Sequence, residues 1–288
     1  MTDDASQNAE SEPLPDIEYK WISKIGAEQP QQPSCVAVGM FDGVHRGHRA
    51  VLEAARTYAN QAGLQLVAVT FDSHPRDLLR PDRRIPLLQT PPARYERLLS
   101  AGADAVMALV FTSELAAKTP EQFLDLLCAQ VRLRSVFVGD DFRFGAAAEG
   151  DCGLLRREGR ARGFDVTIIP RMEFAKRPIS STRVRSAIAA GAIEEATAML
   201  GVAHEVKVSA LAFHSGHQMA WFHFPVGTAK PPSGRYLGRI RRSPYLPVTV
   251  EISAGKEPSK IWHWAEEPLD SLSSLYATPV MLELLDTA

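Results

Sequence analysis

The sequence contains little cysteine, which limits the kinds of site that it can carry. Its 288 residues include three cysteines, Cys35, Cys128 and Cys152, and none of them forms a CxxC pair. An odd number of widely spaced cysteines argues against a disulfide framework and against a thiolate zinc site. We therefore interpret the cysteines as small apolar residues and expect a reducing, cytoplasmic setting.

An excess of charge of one sign and long apolar runs are also missing. The formal net charge is −2, so there is no overall basic field, and we expect neither nucleic acid nor membrane as a partner. No apolar stretch approaches the length of a membrane span. The opening MTDDASQNAESEPLPDIEYK is acidic and polar, without the basic start and apolar centre of a signal peptide. We expect a disordered tail over residues 1–30.

Short apolar runs alternate with helical patterns over the next part of the chain. The runs at 35–41, 64–71, 104–111, 134–139 and 164–170 are nearly continuous in apolar residues, as strands covered on both faces are. Apolar residues at helical spacing occupy 48–63, 93–102, 120–132 and 154–163, and 183–201 predicts two short helices broken at Gly191. The alternation predicts an α/β domain with a parallel, Rossmann-like sheet over residues 31–203.

The pattern changes beyond that domain. Residues 204–288 contain short alternating runs such as EVKVSALAF, RYLGRI and VTVEIS, separated by proline, glycine and serine. This predicts a second, small and mostly β, barrel-like domain.

The stretch GMFDGVHRGH, residues 39–48, follows the first predicted strand and leads into the first helix. A helix amino terminus offers unpaired N–H groups and a positive dipole end, which favour phosphate. Gly43 and Gly47 let the main chain come close to a ligand, and His45 and His48 add N–H donors. Zinc is the weaker interpretation because the spacing is not HExxH and no third ligand lies nearby. We predict a phosphate site.

Two further motifs end the second and fourth strands, and the ends of parallel strands meet at one ligand crevice. TFDSHP, residues 70–75, is either a turn or a source of site residues. In VGDDFRFG, residues 138–145, Asp140 and Asp141 suit a base, a ribose or a metal ion. Phe142 and Phe144 suit stacking on a flat ring, or one of them belongs to the core.

The stretch ISSTRVR, residues 179–185, places hydroxyl groups and two arginines at the start of a helix. Ser180, Ser181 and Thr182 can simply cap that helix. Together with Arg183 and Arg185, however, hydroxyl, amide and guanidinium donors would bind an oligophosphate.

In this order, these motifs resemble those of the bacterial FAD synthetase family, specifically its FMN adenylyltransferase module, over residues 35 to 201. The resemblance implies a nucleotidyltransferase that moves AMP from ATP to FMN, with Mg²⁺ bound through the phosphates and not by dedicated protein ligands. It implies catalytic roles for His45, His48 and Arg183. It implies an ATP and phosphate site made of Gly39, Phe41, Asp42, Gly43, Gly47, His74, Ser181, Thr182 and Arg185. It implies that the flavin contacts Phe71, Asp141 and Phe144.

The resemblance weakens in the second domain, where bifunctional members of the family carry a riboflavin kinase with an FPTAN motif. Here the segment is FPVGT, with Val226 in place of the threonine and Thr228 in place of the asparagine. Valine has no side-chain hydrogen-bonding group, so we expect kinase activity to be lost. Three alternatives stay open: a bifunctional enzyme with an atypical kinase site, a non-catalytic flavin- or nucleotide-binding regulator, and adenylyl transfer to another acceptor.

Overall fold

In a computed structural model of the protein, the chain forms two large sheets. Most of the helices alternate with the strands of the first sheet. The structure describes residues 17–23, 31–73, 78, 84–208, 210–214, 219–241, 245–253, 258–263 and 280–287. Within these ranges every helix is too short or too polar to cross a bilayer.

The first sheet has six strands and is mostly parallel. Its strands are β1 (Tyr19–Ser23), β2 (Ser34–Val38), β3 (Gln65–Phe71), β4 (Ala105–Leu109), β5 (Leu133–Gly139) and β6 (Asp165–Ile169). They lie in the order β1-β4-β3-β2-β5-β6. Strands β2 to β6 run parallel to their neighbours, and β1 runs antiparallel to β4. The strand order reverses at β2, and such a reversal opens a crevice at the carboxyl ends of the strands.

Seven α-helices lie in the described part of the chain, and the last of them packs against the second sheet through Ile193. They are α1 (Arg46–Ala62), α2 (Pro91–Ser100), α3 (Ser113–Ala116), α4 (Pro120–Gln130), α5 (Cys152–Arg162), α6 (Ser181–Ala189) and α7 (Ile193–Leu200). Alternate residues of β2 belong to different cores: Val36 and Val38 pack with one cluster, and Cys35 and Ala37 with another. Burial on both faces explains why the strand runs are continuously apolar, and the predicted strands and helices of this part are confirmed.

The predicted tail over residues 1–30 requires a correction, because β1 belongs to the sheet. Trp21 pairs with Met107 of β4, and Tyr19 and Trp21 pack against the core. Burial of the two aromatic rings stabilises this segment as a strand of the sheet. In the sequence, the acidic and polar residues around the rings made the segment resemble a disordered tail. Residues 1–16 and 24–30 lie outside the described residues.

The second sheet is antiparallel and curled. Its strands are β9 (His204–Val208), β10 (Ala210–His214), β11 (Met219–Phe222), β12 (Gly234–Ile240), β13 (Leu246–Ile252), β14 (Ser259–His263) and β15 (Val280–Thr287). They lie in the order β10-β11-β14-β13-β12-β15-β9. The two edge strands, β9 and β10, are separated by a single residue of the chain, so the sheet must bend to bring its edges together. A short hairpin, β7 (Glu173–Phe174) and β8 (Arg177–Pro178), lies before α6 and has no counterpart in the sequence prediction.

Candidate active site

A cavity of about 350 Å³ opens where the strand order of the first sheet reverses. Its wall includes residues at the carboxyl ends of four strands: Val38 of β2, Phe71 of β3, Gly139 of β5 and Ile169 of β6. The predicted site residues that reach it are Gly39, Phe41, His45, Gly47, His48, Phe71, Asp141 and Ser181. The structure therefore brings together parts of all four motifs.

The loop between β2 and α1 has an unusual backbone. Phe41 and Val44 have positive φ angles of 50° and 41°, which residues other than glycine seldom adopt. Both side chains are buried, and the ring of Phe41 packs edge-on against the ring of His48, with 5.3 Å between centroids. Burial on both sides holds this conformation in place, and residues with such strained backbones cluster at functional sites.

His45 and His48 lie at the amino terminus of α1 and face each other. His45 caps the helix, and its Nδ1 accepts a hydrogen bond from the His48 N–H at 3.2 Å. Nδ1 of neutral His45 therefore carries no proton, which leaves Nε2–H as the donor group of this ring. Gly47 makes the arrangement possible, because a Cβ there would lie 3.2 Å from Cε1 of His45.

Both histidines are neutral in the free protein. Burial, together with a smaller effect of the nearby Arg185 guanidinium, lowers the pKa of His45 to about 4. Burial, His45 and Arg94 hold the pKa of His48 well below its usual value. The Nδ1 atom of His48 is buried without a hydrogen-bond partner among the described residues. The pair thus offers directed N–H groups to a phosphate instead of positive charge.

Asp42 joins the loop to two other segments. Its carboxylate accepts hydrogen bonds from the N–H groups of Leu88, at 2.9 Å and 3.1 Å, and of Gln89, at 3.3 Å. The same carboxylate pairs with Arg185 of α6 at 2.7 Å. Ser181 completes the junction by donating its hydroxyl to the Asp42 carbonyl oxygen at 2.9 Å. In this structure Asp42 therefore orients the loop and the amino terminus of α6.

The arginines at the start of α6 point in different directions. Arg185 also donates to the hydroxyl of Thr182 at 3.3 Å, close to Asp42. Arg183 turns toward the β7–β8 hairpin, where it donates to the carbonyl oxygens of Phe174 and Arg177 at 2.7 Å and 2.9 Å. It also pairs with Glu195 of α7 at 3.0 Å. Neither arginine lines the cavity, whereas Ser180, which caps α6, does.

Arg94 of α2 is a site residue that the sequence prediction missed. Its side chain is fully buried and donates to the carbonyl oxygens of Met40, at 3.2 Å, and of Phe71. It thereby ties the carboxyl end of β2 to that of β3 and places a cation behind His48. A single arginine in an amphipathic helix gives no signal of this role in the sequence.

The phenylalanines of the third motif occupy different positions. Phe142 lines the cavity, and Phe144 lies behind it in the core, with the two rings stacked at 5.4 Å. The side chain of Phe144 is 6% exposed and also packs on Phe123. Of the two rings, Phe142 therefore faces the cavity, and Phe144, the predicted flavin contact, packs behind it. Phe71 reaches the wall as predicted.

Two arginines that the prediction did not include also line the cavity. Arg143 pairs with Asp151 at 3.5 Å, and Arg171 pairs with Asp140 at 2.9 Å. Both are solvent-accessible cations beside Asp141, and they add positive potential near the mouth. His74, predicted to lie beside phosphate, falls outside the described residues.

Comparison with known proteins agrees with this geometry. Residues 27–183 match the model of the FAD synthetase family, which covers more than half of the chain. A bifunctional riboflavin kinase/FMN adenylyltransferase of Escherichia coli K12 is 33% identical over 216 residues, or 75% of this chain and 68% of that protein. An FAD synthetase of Listeria monocytogenes is 31% identical over 178 residues, or 62% of this chain and 72% of that protein. The chain belongs to the FAD synthetase family.

One solved structure resembles the whole arrangement. A macrolide-efflux protein from Streptococcus pneumoniae aligns with a TM-score of 0.77 and 23% sequence identity, over 90% of this chain and 87% of that chain. At this identity the likeness concerns the fold alone, and it extends over both sheets.

Proposed function

We propose that this chain is an FMN adenylyltransferase, which transfers AMP from ATP to FMN and releases FAD and pyrophosphate. The observation that carries the proposal is the neutral His45–His48 pair at the amino terminus of α1, inside a cavity of a chain that belongs to the FAD synthetase family. We also propose a Rossmann-like nucleotidyltransferase domain over residues 31–203 and a riboflavin-kinase-like β domain over 204–288.

In this proposal, the ATP phosphates lie against the loop and the two helix termini. His45, Gly47 and His48 at the amino terminus of α1 and Ser180 at that of α6 line the same cavity, where helix amino termini favour phosphate. Arg143 and Arg171 supply charge at the mouth. Arg94, Asp42 and Arg185 act behind this surface by fixing the loop and α6. Arg183, expected to be catalytic, is then a positioning residue for the β7–β8 hairpin.

The flavin lies toward the third motif. Phe142 and Phe71 present aromatic surface on the cavity wall, and Met40 and Met172 add polarizable side chains that adapt to a flat ring. Asp141 stands beside them as an acceptor for a ribityl hydroxyl or a ring N–H. The aromatic wall supports a flavin over a small, non-aromatic phosphate monoester as acceptor.

The reaction requires little acid–base chemistry. A phosphate oxygen of FMN attacks the α-phosphorus of ATP, the bond from that phosphorus to the bridging oxygen breaks, and pyrophosphate leaves. The nucleophile is already anionic, so no general base is needed, and neutral histidines suit this requirement. The residues act by aligning the two phosphates and by donating hydrogen bonds to charge that develops in the transition state.

Mg²⁺ fits the site as an ion carried mainly by the phosphates. Among the described residues no three His, Cys, Asp or Glu side chains cluster, and Asp141 is the carboxylate on the cavity wall. Asp141 is the carboxylate that could contact a bound ion, and the ion would supply positive charge against the phosphates.

We propose that the second domain has lost riboflavin kinase activity. Val226, in place of the threonine of FPTAN, projects fully into solvent and offers no donor or acceptor. The hydroxyl of Thr228 is already used, since it donates to the Pro225 carbonyl oxygen at 2.7 Å. Glu251, a candidate catalytic carboxylate, lies between Arg235 at 3.8 Å and Lys260 at 3.7 Å.

We further propose a cytoplasmic location. All three cysteines are unpaired, and one of them, Cys128, is exposed, which suits a reducing compartment.

Incubation of the purified protein with MgATP and either FMN or riboflavin, followed by chromatography of the flavins, tests the proposal. We expect FAD from FMN and unchanged riboflavin. FMN or FAD formed from riboflavin would refute the loss of kinase activity. Retained FMN without any FAD would instead favour a non-catalytic flavin-binding protein.

A further inference from the structure

A tight turn of the second domain docks on the first domain through its main chain. In the segment Pro225–Ala229, which we call the docking turn, the Thr228 N–H donates to the Pro225 carbonyl oxygen at 3.2 Å, and Gly227 has a φ of 77°. The Leu87 N–H donates to the carbonyl oxygen of Gly227 at 2.7 Å, and the Ala229 N–H donates to that of Leu87 at 2.7 Å. The side chain of Val226 takes no part, because it is fully exposed.

The opposite side of the same segment of the first domain binds the site loop. Successive N–H groups of an extended chain point in opposite directions. Leu87 therefore bonds to the docking turn and Leu88 to the carboxylate of Asp42. The chain bends at residues 88 and 89, so the N–H of Gln89 also donates to that carboxylate. The segment 87–89 is thus fixed between the second domain and the loop that carries His45.

Packing reinforces these hydrogen bonds. Leu88 is 2% exposed and covers Gly43 so closely that a Cβ there would lie 2.6 Å from the Leu88 Cδ1 atom. Ala229 of the docking turn is also buried and belongs to the same apolar cluster as Leu88, Ile179 and Val184. The apolar contact is therefore continuous from the second domain to the α6 helix and to the loop.

Buried charge joins the two domains beside the docking turn. Glu205 of β9 accepts from Arg97 of α2 at 3.1 Å and from Arg241 at 3.1 Å. The side chains of Arg97 and Glu205 are 12% and 10% exposed, so this ion pair is largely shielded from solvent where the two domains meet.

We propose that the docking turn is a positioning element of the adenylyltransferase site. It fixes residues 87–89, these fix Asp42 and Gly43, and the strained backbone of Phe41 and Val44 then presents the two histidines. In this way a domain without kinase residues still contributes to FAD synthesis. The kinetic part of the inference rests on the function proposed above, whereas its structural part does not.

Two pairs of variants test the inference in the full-length chain. Ala229→Pro removes the N–H that donates to Leu87, and Ala229→Gly keeps it. Leu87→Pro removes the reciprocal donor from the other domain, and Leu87→Ala keeps it. Val226→Ala alters the exposed position of the same turn and serves as the matched control. The measurements are hydrogen exchange of peptides covering 39–49 and 84–90, steady-state FAD synthesis, and thermal unfolding.

We expect both proline variants to raise exchange in 39–49 and to lower kcat by about tenfold, since small misplacement of catalytic groups is costly. KM for FMN should change less than kcat, because Phe71, Phe142 and Asp141 of the flavin wall lie outside the loop, although Met40 belongs to it. The alanine and glycine variants and Val226→Ala should match the wild type. If Ala229→Pro does not fold, the comparison of Leu87→Pro with Leu87→Ala tests the inference.

One result would overturn the inference: a proline variant in which hydrogen exchange becomes faster in residues 84–90, while exchange in residues 39–49 and kcat for FAD synthesis stay unchanged. If the wild type makes no FAD, the proposed function fails, and exchange in 39–49 alone decides whether the docking turn positions the loop.

Discussion

The imidazole rings of His45 and His48 lie face to face, with their centroids 3.6 Å apart and their planes inclined by 13°. Two imidazolium cations would repel each other at this distance. Burial and the neighbouring arginines keep both rings neutral, so the pair can pack closely and still direct N–H groups into the cavity. Preorganised donors of this kind need no rearrangement when charge develops on a phosphate.

Removal of either donor is expected to slow catalysis without unfolding the protein. His45→Asn and His48→Asn should each lower kcat for FAD synthesis by about 10² or more, the usual effect of losing one oriented donor. His223→Gln, at an exposed position of the second domain, is the control and should leave kcat unchanged. Full activity of either asparagine variant would exclude these rings from the reaction.

The buried His45 predicts acid sensitivity of the fold. An unfolded histidine has a pKa of about 6.5, whereas that of His45 is lowered to about 4 in the folded chain. Between these values the unfolded state binds more protons, so the free energy of unfolding falls as the pH falls from about 6.5 toward 4. The loss from His45 is on the order of 3 kcal/mol.

Urea unfolding at pH 7 and pH 4.5 measures this loss. His45→Gln should reduce the difference between the two pH values, and His223→Gln should not. His48 and His204, whose pKa values are also lowered by burial, contribute in the same direction, so the variant reduces the difference without abolishing it. An unchanged difference in His45→Gln would contradict the assignment.

The two phenylalanines of the third motif should separate binding from stability. Phe142→Ala removes ring surface from the cavity wall, and we expect KM for FMN to rise by about tenfold. Phe144→Ala opens a cavity in the core and should lower the free energy of unfolding by about 3 kcal/mol or more. Paired measurements of flavin KM and urea unfolding check this. If KM for FMN rises more in Phe144→Ala than in Phe142→Ala, Phe144 is the flavin contact, as the sequence predicts.

The Asp42–Arg185 pair should be strongly coupled. Asp42→Ala leaves the arginine without this partner and two main-chain N–H groups unsatisfied, so we expect a loss of about 3 kcal/mol or more. Arg185→Ala should cost less, because the two N–H groups still stabilise the carboxylate. The double variant should be less destabilised than the sum of the single variants. If the losses in free energy of unfolding of the two single variants add up to that of the double variant, the two side chains do not stabilise the fold through each other.

The sequence was sufficient to locate the site because its motifs end parallel strands. Continuous apolar runs identify strands that are buried on both faces, and the carboxyl ends of such strands necessarily meet. That argument places His45, Phe71 and Asp141 together without knowledge of any side-chain direction, whereas Ser181 follows the β7–β8 hairpin and not a parallel strand. It also applies to the helix amino terminus that follows the first strand.

The sequence did not predict the directions of side chains or the contacts between residues that are distant in the chain. Arg183 and Arg185 are two residues apart on α6, so about 200° of rotation separates their directions, and the motif does not say which one faces Asp42. Nor does the third motif, which lies outside any helix, say which of Phe142 and Phe144 faces the cavity. Arg94 acts on a strand end more than fifty residues away in sequence from Met40, and no local pattern records such a contact.

A turn that binds by its peptide groups imposes few demands on the side chains that it carries. The outward position of Val226 can therefore accept almost any residue, provided that the glycine after it keeps its positive φ. Mutational tolerance of this kind allows the outward side chains of the turn to change while its backbone path and its two hydrogen bonds with Leu87 stay the same.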